Sequence, residues 1–282
     1  MPKRFSTARG REFGDGLRAA IADAGLSGRA AAERVGWHEA KISDLVNGKG
    51  GATETELALL LGACRTPPAE CRHLLALFPD TSIKGWWQQH GMRSPIRNRT
   101  FVEHMAVAKN LVSWHPHLVP DALQTAAYAR EVLRASATTP VDETEARVTA
   151  RLEMQKQLRR RLSCTFLIHE FALRLRVGSA ETQAGQLRHL LQMATRPHVT
   201  IRILPADAGA HAGLSGPFTQ LSFPTYEPLV WVEGENFSLI IEEKAATNCY
   251  ETIIGSLDRT CWGVDESKAV ITDVLRTIEG AG

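Results

Sequence analysis

The sequence predicts two domains of different fold class. The first is an N-terminal all-α domain of five helices, and the second is a C-terminal α+β domain with a small, mainly antiparallel sheet and flanking helices. Up to residue 77, apolar residues recur at helical spacing and are interrupted by glycines and prolines. From residue 164 onward, short apolar runs of strand length alternate with amphipathic segments. These observations predict domains at residues 1–80 and 101–282, joined by a basic, aromatic linker at 81–100.

Residues 26–48, LSGRAAAERVGWHEAKISDLVNG, predict two short helices around a tight corner. The first apolar run stops at Gly36, and the second resumes with Ile42 and ends at Gly48. A glycine can adopt the left-handed conformation that closes a helix and lets the chain turn sharply. The sequence therefore predicts a helix, a turn and a second helix within about twenty residues.

Three more helices complete the predicted N-terminal domain. They cover residues 12–24, 53–63 and 69–77, and Ser27 and Thr53 are the expected N-caps of the helices that follow them. Residues 3–11 carry four basic side chains before the first acid and predict a flexible basic arm, either lying along phosphates or simply solvated: Lys3, Arg4, Arg9 and Arg11.

The corner "AERVGW", followed by "KIS" and "NGK", resembles the DNA-reading unit of phage-repressor (XRE-type) regulators. The alternative is a helical hairpin inside an all-α core. The resemblance implies a phage-repressor-like fold that binds double-stranded DNA through its second helix. The residues expected at that surface are Arg29, His38, Glu39, Ala40, Lys41, Ser43, Asp44, Asn47 and Lys49, joined by Lys3 and Arg4 of the arm.

The sequence departs from this family pattern at the start of the first motif helix. Gly28 stands where the family commonly has Gln, and Ala31 replaces a larger apolar residue. Glu39 and Asp44 add negative charge to the expected reading surface. An acidic side chain can accept a hydrogen bond from a cytosine amino group, but it also repels phosphate. These residues predict either a sequence-specific reader or a weak DNA binder.

The linker contains no acid between Lys84 and Val102, and it carries two adjacent tryptophans, Trp86 and Trp87. A nucleic-acid contact and an anchor on the second domain both fit this composition. After the linker, residues 101–114 predict a helix that stops at HPHLVP. His115 and His117 in that segment favour a plain turn over a metal site, because Pro116 separates them and no third ligand is near.

The C-terminal domain continues with a long helix over residues 142–162. After this helix the hydrophobic pattern changes from helical spacing to short runs of strand length. Strands are expected at 164–168, 199–205, 218–223, 229–233 and 238–241. Helices are expected at 181–195, 243–261 and 265–279.

Several motifs in this region occur in an order that resembles a known family of C-terminal domains. The motifs are LVPDALQTAAYAREVL, a helix with Arg151 and Gln155, QLRHLLQMATRPHVTIRILP, GAHAGLSGPF and WVEG. Together they look like the domain of unknown function that follows the helix–turn–helix in actinobacterial, antitoxin-like regulators. Asp121 and Ala122 stand where that family usually has Gly-Leu. The resemblance implies a transcription regulator, often paired with a small companion protein, and it implies no catalytic residue and no known ligand.

Motifs for catalysis are incomplete, so the sequence predicts no enzyme, no cofactor and no metal. His169-Glu170 begins like a zinc-protease helix, but Leu173 occupies the position of the second histidine. His211, in a Gly- and Ala-rich loop, is the residue to consider as a ligand or partner contact, and the alternative is a plain loop histidine. It is expected to be exposed, near the strands that carry Trp231 and Glu233.

Charge is distributed unevenly along the chain. Residues 81–204 contain 18 basic and 9 acidic side chains, whereas residues 205–282 contain 4 basic and 12 acidic ones. This asymmetry predicts two kinds of neighbour or a contact between protomers. With no apolar run of membrane-spanning length, no signal-peptide pattern and five cysteines, the expected location is the cytoplasm.

The function expected from the sequence is that of a homodimeric, sequence-specific regulator of transcription. Its C-terminal domain would dimerise and would sense a partner or a small molecule. The alternative is an antitoxin-like protein that neutralises a small companion protein and binds DNA only for autoregulation.

Overall fold

A computed structural model describes residues 7–81, 86–89, 96–159, 162–224, 226–234 and 237–280. The chain divides into two compact units, Met1–Trp86 and Trp87–Gly282. The first is all-α and the second is α+β, so the predicted fold class is confirmed. The finer division into residues 1–80, 81–100 and 101–282 stays a prediction.

Five helices form the first unit: α1 (Ala8–Asp23), α2 (Gly28–Val35), α3 (Glu39–Val46), α4 (Glu54–Ala63) and α5 (Pro68–Leu77). Their buried faces meet in one apolar core that includes Phe13, Leu17, Ile42, Leu57 and Leu74. Ser27 and Thr53 cap α2 and α4 as predicted, and Thr53 forms a capping box with Glu56.

The predicted arm at residues 3–11 is wrong over residues 8–11, which form the first turn of α1. Thr7 explains the earlier helix start, because its side chain accepts a hydrogen bond from the Gly10 N–H at 2.9 Å and its hydroxyl donates to the Thr81 carbonyl. Arg11 is only 8% exposed. Lys3 and Arg4 lie outside the described residues.

The second unit is built on a seven-stranded mixed sheet in the order β1-β7-β6-β5-β2-β3-β4. The strands are β1 (Trp86–Gln89), β2 (Asn110–His115), β3 (Ser163–His169), β4 (Val199–Leu204), β5 (Phe218–Ser222), β6 (Leu229–Glu233) and β7 (Phe237–Ile241). Strands β2, β3 and β4 are parallel, whereas β2–β5, β5–β6 and β6–β7 are antiparallel.

Seven helices accompany the sheet in the described part of this unit. They are α6 (Ile96–Val107), α7 (Ala126–Ala135), α8 (Thr144–Gln155), α9 (Glu170–Arg174), α10 (Ala180–Met193), α11 (Lys244–Thr260) and α12 (Val264–Gly280). One sheet face carries Trp114 and Phe218, and Leu257 of α11 packs into the same apolar cluster.

The helix predicted over residues 101–114 is wrong in its second half. Helix α6 ends at Val107, and Asn110–His115 form strand β2 near the middle of the sheet. Parallel pairing with β3 and antiparallel pairing with β5 determine this conformation, and Trp114 is fully buried there. His115 consequently ends a strand, where a plain turn was predicted.

The helix predicted over residues 142–162 is shorter in the structure. Helix α8 ends at Gln155, and a 3₁₀ helix follows over Lys156–Arg159.

The LVPDALQT motif is held by a buried polar network. The Gln124 amide donates to the Val119 carbonyl at 2.8 Å, and its oxygen accepts from Arg151 at 2.7 Å. Arg151 also pairs with Asp121, with 3.1 Å between Nε and Oδ2, and Gln155 donates to the Gln124 carbonyl. Arg151 and Gln155, which lie one turn apart on α8, therefore hold α8 against this turn.

Candidate nucleic-acid interface

The corner between α2 and α3 is built as the sequence predicts. Gly36 ends α2 in the left-handed conformation, with φ of 71°, and its N–H bonds back to the helix. Ile42 and Leu45 of α3 are buried in the core. His38 precedes α3 without a side-chain capping bond. This arrangement leaves the opposite side of α3 exposed to solvent.

Most of the residues expected to contact DNA lie on this exposed side. His38, Glu39, Ala40, Ser43 and Asn47 are exposed, while Asp44 is partly buried. The Asn47 amide folds back and donates to the Ser43 carbonyl at 2.7 Å. These positions of the side chains are compatible with DNA reading, and their individual roles stay predictions.

The three expected lysine and arginine contacts that lie within the described residues are already engaged by carboxylates. Arg29 pairs with Glu33 at 3.0 Å, and Lys49 lies 3.3 Å from Asp44. Lys41 bonds Glu56 at 2.6 Å and lies 4.3 Å from the centroid of the Trp37 ring. These pairs make the surface around α3 nearly neutral in charge.

Lys41 fixes the position of α3 relative to α4. Its hydrogen bond, aided by the Thr53 N–H, lowers the pKa of the Glu56 carboxyl, so this carboxyl is ionised at neutral pH. Because Lys41 is held by both Glu56 and Trp37, a contact with phosphate would require this side chain to leave two partners. The structure therefore indicates that Lys41 mainly orients the helix.

Arg18 of α1 is a residue at this surface that sequence reasoning missed. Its guanidinium donates to the Val46 carbonyl at 2.7 Å, at the C-terminal end of α3. Positive charge is favourable at the end of a helix where carbonyls lack partners. The sequence does place an arginine on the exposed side of the first predicted helix. Its contact with α3, however, depends on tertiary packing and could not be predicted from the sequence.

A shallow cavity of about 300 Å³ borders α3 and includes Arg18, Gly28, Glu39 and Ser43 in its lining. Gly28 contributes no side chain there, and a Cβ at this position would meet only Ile42 Cγ2, at 3.7 Å. The position where glycine replaces the expected glutamine therefore borders open space beside the expected reading surface.

The three residues expected to bind a ligand or a partner do not form one cluster. His211 is half-buried, in contrast to the exposed position expected, and its ring lies beside those of Trp114 and His169. Trp231 is 3% exposed and its ring packs against Phe101 at 5.2 Å. Glu233 is exposed at the end of β6. Burial lowers the pKa of His211.

His169 is the residue that sequence reasoning failed to connect with His211. The two ring centroids are 5.5 Å apart. Desolvation lowers the pKa of His169, and the neighbouring His211 lowers it further. The sequence did place His169 directly after an expected strand, but only the parallel pairing of β3 with β4 brings the two histidines together.

Within the described ranges, no group of three or more His, Cys, Asp or Glu side chains is arranged to hold a metal ion. All five cysteines are free thiols. No helix in the described part of the chain combines the length and apolar character that crossing a membrane requires.

Comparison with known protein families agrees with both halves of the fold. A helix-turn-helix domain matches residues 12–74, which contain the corner and α3. This match indicates a DNA-binding regulator. No curated protein matches the chain. A domain of unknown function, DUF5753, matches residues 98–273, more than half of the 282 residues. The chain therefore belongs to the DUF5753 family.

Proposed function

We propose that this protein is an XRE-type regulator of transcription that reads double-stranded DNA with helix α3. The observation that carries the proposal is the left-handed Gly36 corner, which buries Ile42 and Leu45 and leaves Glu39, Ala40 and Ser43 exposed. A helix presented in this way has the dimensions to enter a major groove.

Homodimers are part of the proposal because the DNA surface of one copy carries little net charge. The cationic side chains near α3 are paired, so phosphate attraction from a single copy is modest. Two copies would place their α3 helices about one DNA turn apart and would read a roughly palindromic site.

The second unit is proposed to mediate dimerisation and to sense a small molecule or a companion protein, without catalysis. Ser113 Oγ and His115 Nε2 are 2.8 Å apart, a distance suited to a nucleophile and its base. However, Ser113 is 2% exposed and its oxygen also bonds Thr219 at 2.7 Å. Burial of the hydroxyl inside the sheet supports a structural role for this pair.

Two alanines provide a matched test of DNA reading. Ala40 is exposed on α3, and Ala58 is exposed on α4. Because Ala58 follows Glu56 by two positions, about 200° around the helix, it points away from the Lys41–Glu56 pair. The full chain is first used to select fragments from a genomic library, and the affinity of each variant for a selected fragment is then measured.

We expect Ala40→Glu to weaken binding at least about tenfold, since it adds a negative charge and bulk where a DNA base edge would lie. Ala58→Glu should bind as the unaltered protein does. Equal affinities for both variants would exclude α3 as the reading helix. If the full chain enriches no fragment even at low salt, sequence-specific regulation is wrong.

A second candidate function is neutralisation of a small companion protein, with DNA binding serving autoregulation. The observation that favours it is the excess of acid in residues 205–282, which carry 12 acidic and 4 basic side chains. A basic partner would be attracted to such a segment. Co-expression with the protein encoded by the adjacent small reading frame, followed by co-purification at two salt concentrations, tests this. Failure to recover a complex at low salt would count against the companion.

A further inference from the structure

Two histidines stand at the carboxyl ends of neighbouring parallel strands. His169 is the last residue of β3, and His211 lies in the loop that follows β4. Their rings are tilted by 32° with centroids 5.5 Å apart. The carboxyl ends of parallel strands are where open α/β sheets commonly bind ligands.

Each histidine is fixed in the same tautomer by the same local bond. Nδ1 of His169 accepts the Phe171 N–H at 3.0 Å, and Nδ1 of His211 accepts the Gly213 N–H at 3.1 Å. Since Nδ1 is the acceptor in both rings, the proton of each neutral imidazole is on Nε2. Within the described residues neither Nε2 has a hydrogen-bond partner, so both are available as donors.

This tautomer decides what the pair can do. A metal ion would need the lone pair of Nε2, and that would move the proton to Nδ1 against a backbone N–H. A general base would need the same free lone pair. Two Nε2–H groups instead suit an oxygen acceptor.

The rings rest on a rigid base. Trp114 is fully buried and its ring lies nearly perpendicular to both histidine rings, with centroid distances of 5.2 Å to His211 and 6.4 Å to His169. Its indole N–H donates to the Gly213 carbonyl at 2.8 Å. A Cβ on Gly213 would lie 2.4 Å from the indole, so the loop of His211 fits closely on this ring.

An exposed apolar residue follows each histidine within three positions of the chain. Phe171 is 47% exposed and Leu214 is 69% exposed, and each lies within three residues of one of the histidines. The His117 ring lies 6.5 Å from that of Phe171. The nearest acid, Glu170, is occupied by Arg174 at 2.6 Å and by the Ala206 N–H at 2.9 Å. The donors of the pair are thus not satisfied by a neighbouring carboxylate.

We propose that His169 and His211 bind the carboxylate of a small organic acid, whose apolar body lies against Phe171 and Leu214. This inference deepens the sensing role proposed for the second unit and rests on it. A carboxylate fits two neutral N–H donors that are followed in the chain by exposed apolar residues, whereas a phosphate dianion favours arginine or lysine contacts.

The test uses the full chain, with benzoate as the probe and inorganic phosphate and benzyl alcohol as comparisons. Long-range ¹H–¹⁵N spectra of the histidine side chains at pH 7.5 should show both rings as Nε2–H tautomers. Benzoate should shift their signals. Phosphate and benzyl alcohol should leave those signals in place, because one lacks the apolar body and the other lacks the carboxylate.

Asparagine variants separate the proposed donors from their structural role. His169→Asn and His211→Asn each keep a side-chain oxygen that accepts the backbone N–H but remove Nε2. Each should weaken benzoate binding about tenfold or more, as expected for a lost hydrogen bond to a charged group. His189→Asn, on α10, is the matched control and should bind benzoate normally.

An Nδ1–H tautomer, no benzoate shift, a stronger response to phosphate, or undiminished binding by the two asparagine variants would overturn the inference. DNA affinity of the unaltered chain, measured without benzoate, is a separate readout. If the unaltered chain binds DNA but its histidine signals do not respond to benzoate, this inference is contradicted and the proposed DNA-binding function is not.

Discussion

His115 shows how a single residue ties the folded state to pH. Its Nε2 lies 2.8 Å from Ser113 Oγ, and desolvation lowers its pKa to about 4, while the Asp121 carboxylate acts in the opposite direction. In the unfolded chain a histidine has a pKa of about 6.5. The unfolded state therefore binds more protons below that pH, and stability falls as the pH is lowered from about 6.5 to 4.

Replacing this histidine should remove part of that pH dependence. A folded pKa of about 4 corresponds to a loss of about 3 kcal/mol at pH 4, relative to neutral pH. We expect His115→Gln to unfold in urea with a smaller change in free energy between pH 7.5 and 4.5 than the unaltered protein shows. His117→Gln, which replaces an exposed histidine two residues later, is the control. An identical pH dependence in all three proteins would contradict the assignment to His115.

At the scale of elements, α1 and the end of α3 meet through glycines. A Cβ on Gly14 would lie 2.4 Å from the Val46 carbonyl oxygen, and a Cβ on Gly48 would lie 2.2 Å from the Gly10 carbonyl oxygen. Gly48 also has φ of 67°. Since these neighbours are backbone atoms, they cannot move aside as a side chain can. The closeness of the two helices therefore depends on the missing side chains.

A pair of helical glycines tests this contact. Gly14→Ala should lower the free energy of unfolding by about 2 kcal/mol, the range found when a packed site is overfilled. Gly62→Ala, inside α4, meets nothing within 4 Å and should instead stabilise by up to about 1 kcal/mol through helix propensity. Urea unfolding of the full chain measures both changes. A Gly14→Ala protein at least as stable as the Gly62→Ala protein would show that α1 can move away from α3 at little cost.

The sequence predicts the N-terminal elements well because their signals are local. Ser27, Gly36 and Thr53 each act on groups within about one helical turn, and the structure has all three in the expected roles. Strand β2 could not be predicted in this way. Its conformation depends on register with β3, in which Asn110 pairs with Ser163, and its first residues also fit a helical pattern.

The same distinction applies to the candidate sites. The exposed residues of α3 follow from helical spacing, so Ala40 and Ser43 could be assigned to the reading surface in advance. The contact of Arg18 with Val46 and that of His169 with His211 join residues far apart in the sequence. Local patterns carry no information on such contacts, because packing and parallel pairing create them.

For the whole molecule, attraction to DNA depends on where positive charge remains unpaired. The described cations beside α3 are paired, and the segment at residues 205–282 has a strong excess of acid. The expected sources of phosphate contacts are therefore the basic residues that precede Thr7 and those of the linker, from Lys84 to Arg99. Each phosphate contact contributes about 0.9 to the slope of log affinity against log salt concentration.

Replacing Lys3 and Arg4 together by alanine should make that slope shallower by about 1.8, if each side chain neutralises one phosphate. Substitution is preferable to deleting residues 1–11, because that deletion would also remove the Thr7 cap and the first turn of α1. The control, Lys244→Ala with Arg276→Ala, removes the same charge from two exposed positions in the acidic segment. Affinity for a selected fragment is measured from about 50 to about 200 mM salt, a range over which such slopes are large. An equal change in both double variants would mean that only net charge matters, and an unchanged slope for Lys3 and Arg4 would mean that these residues do not touch DNA.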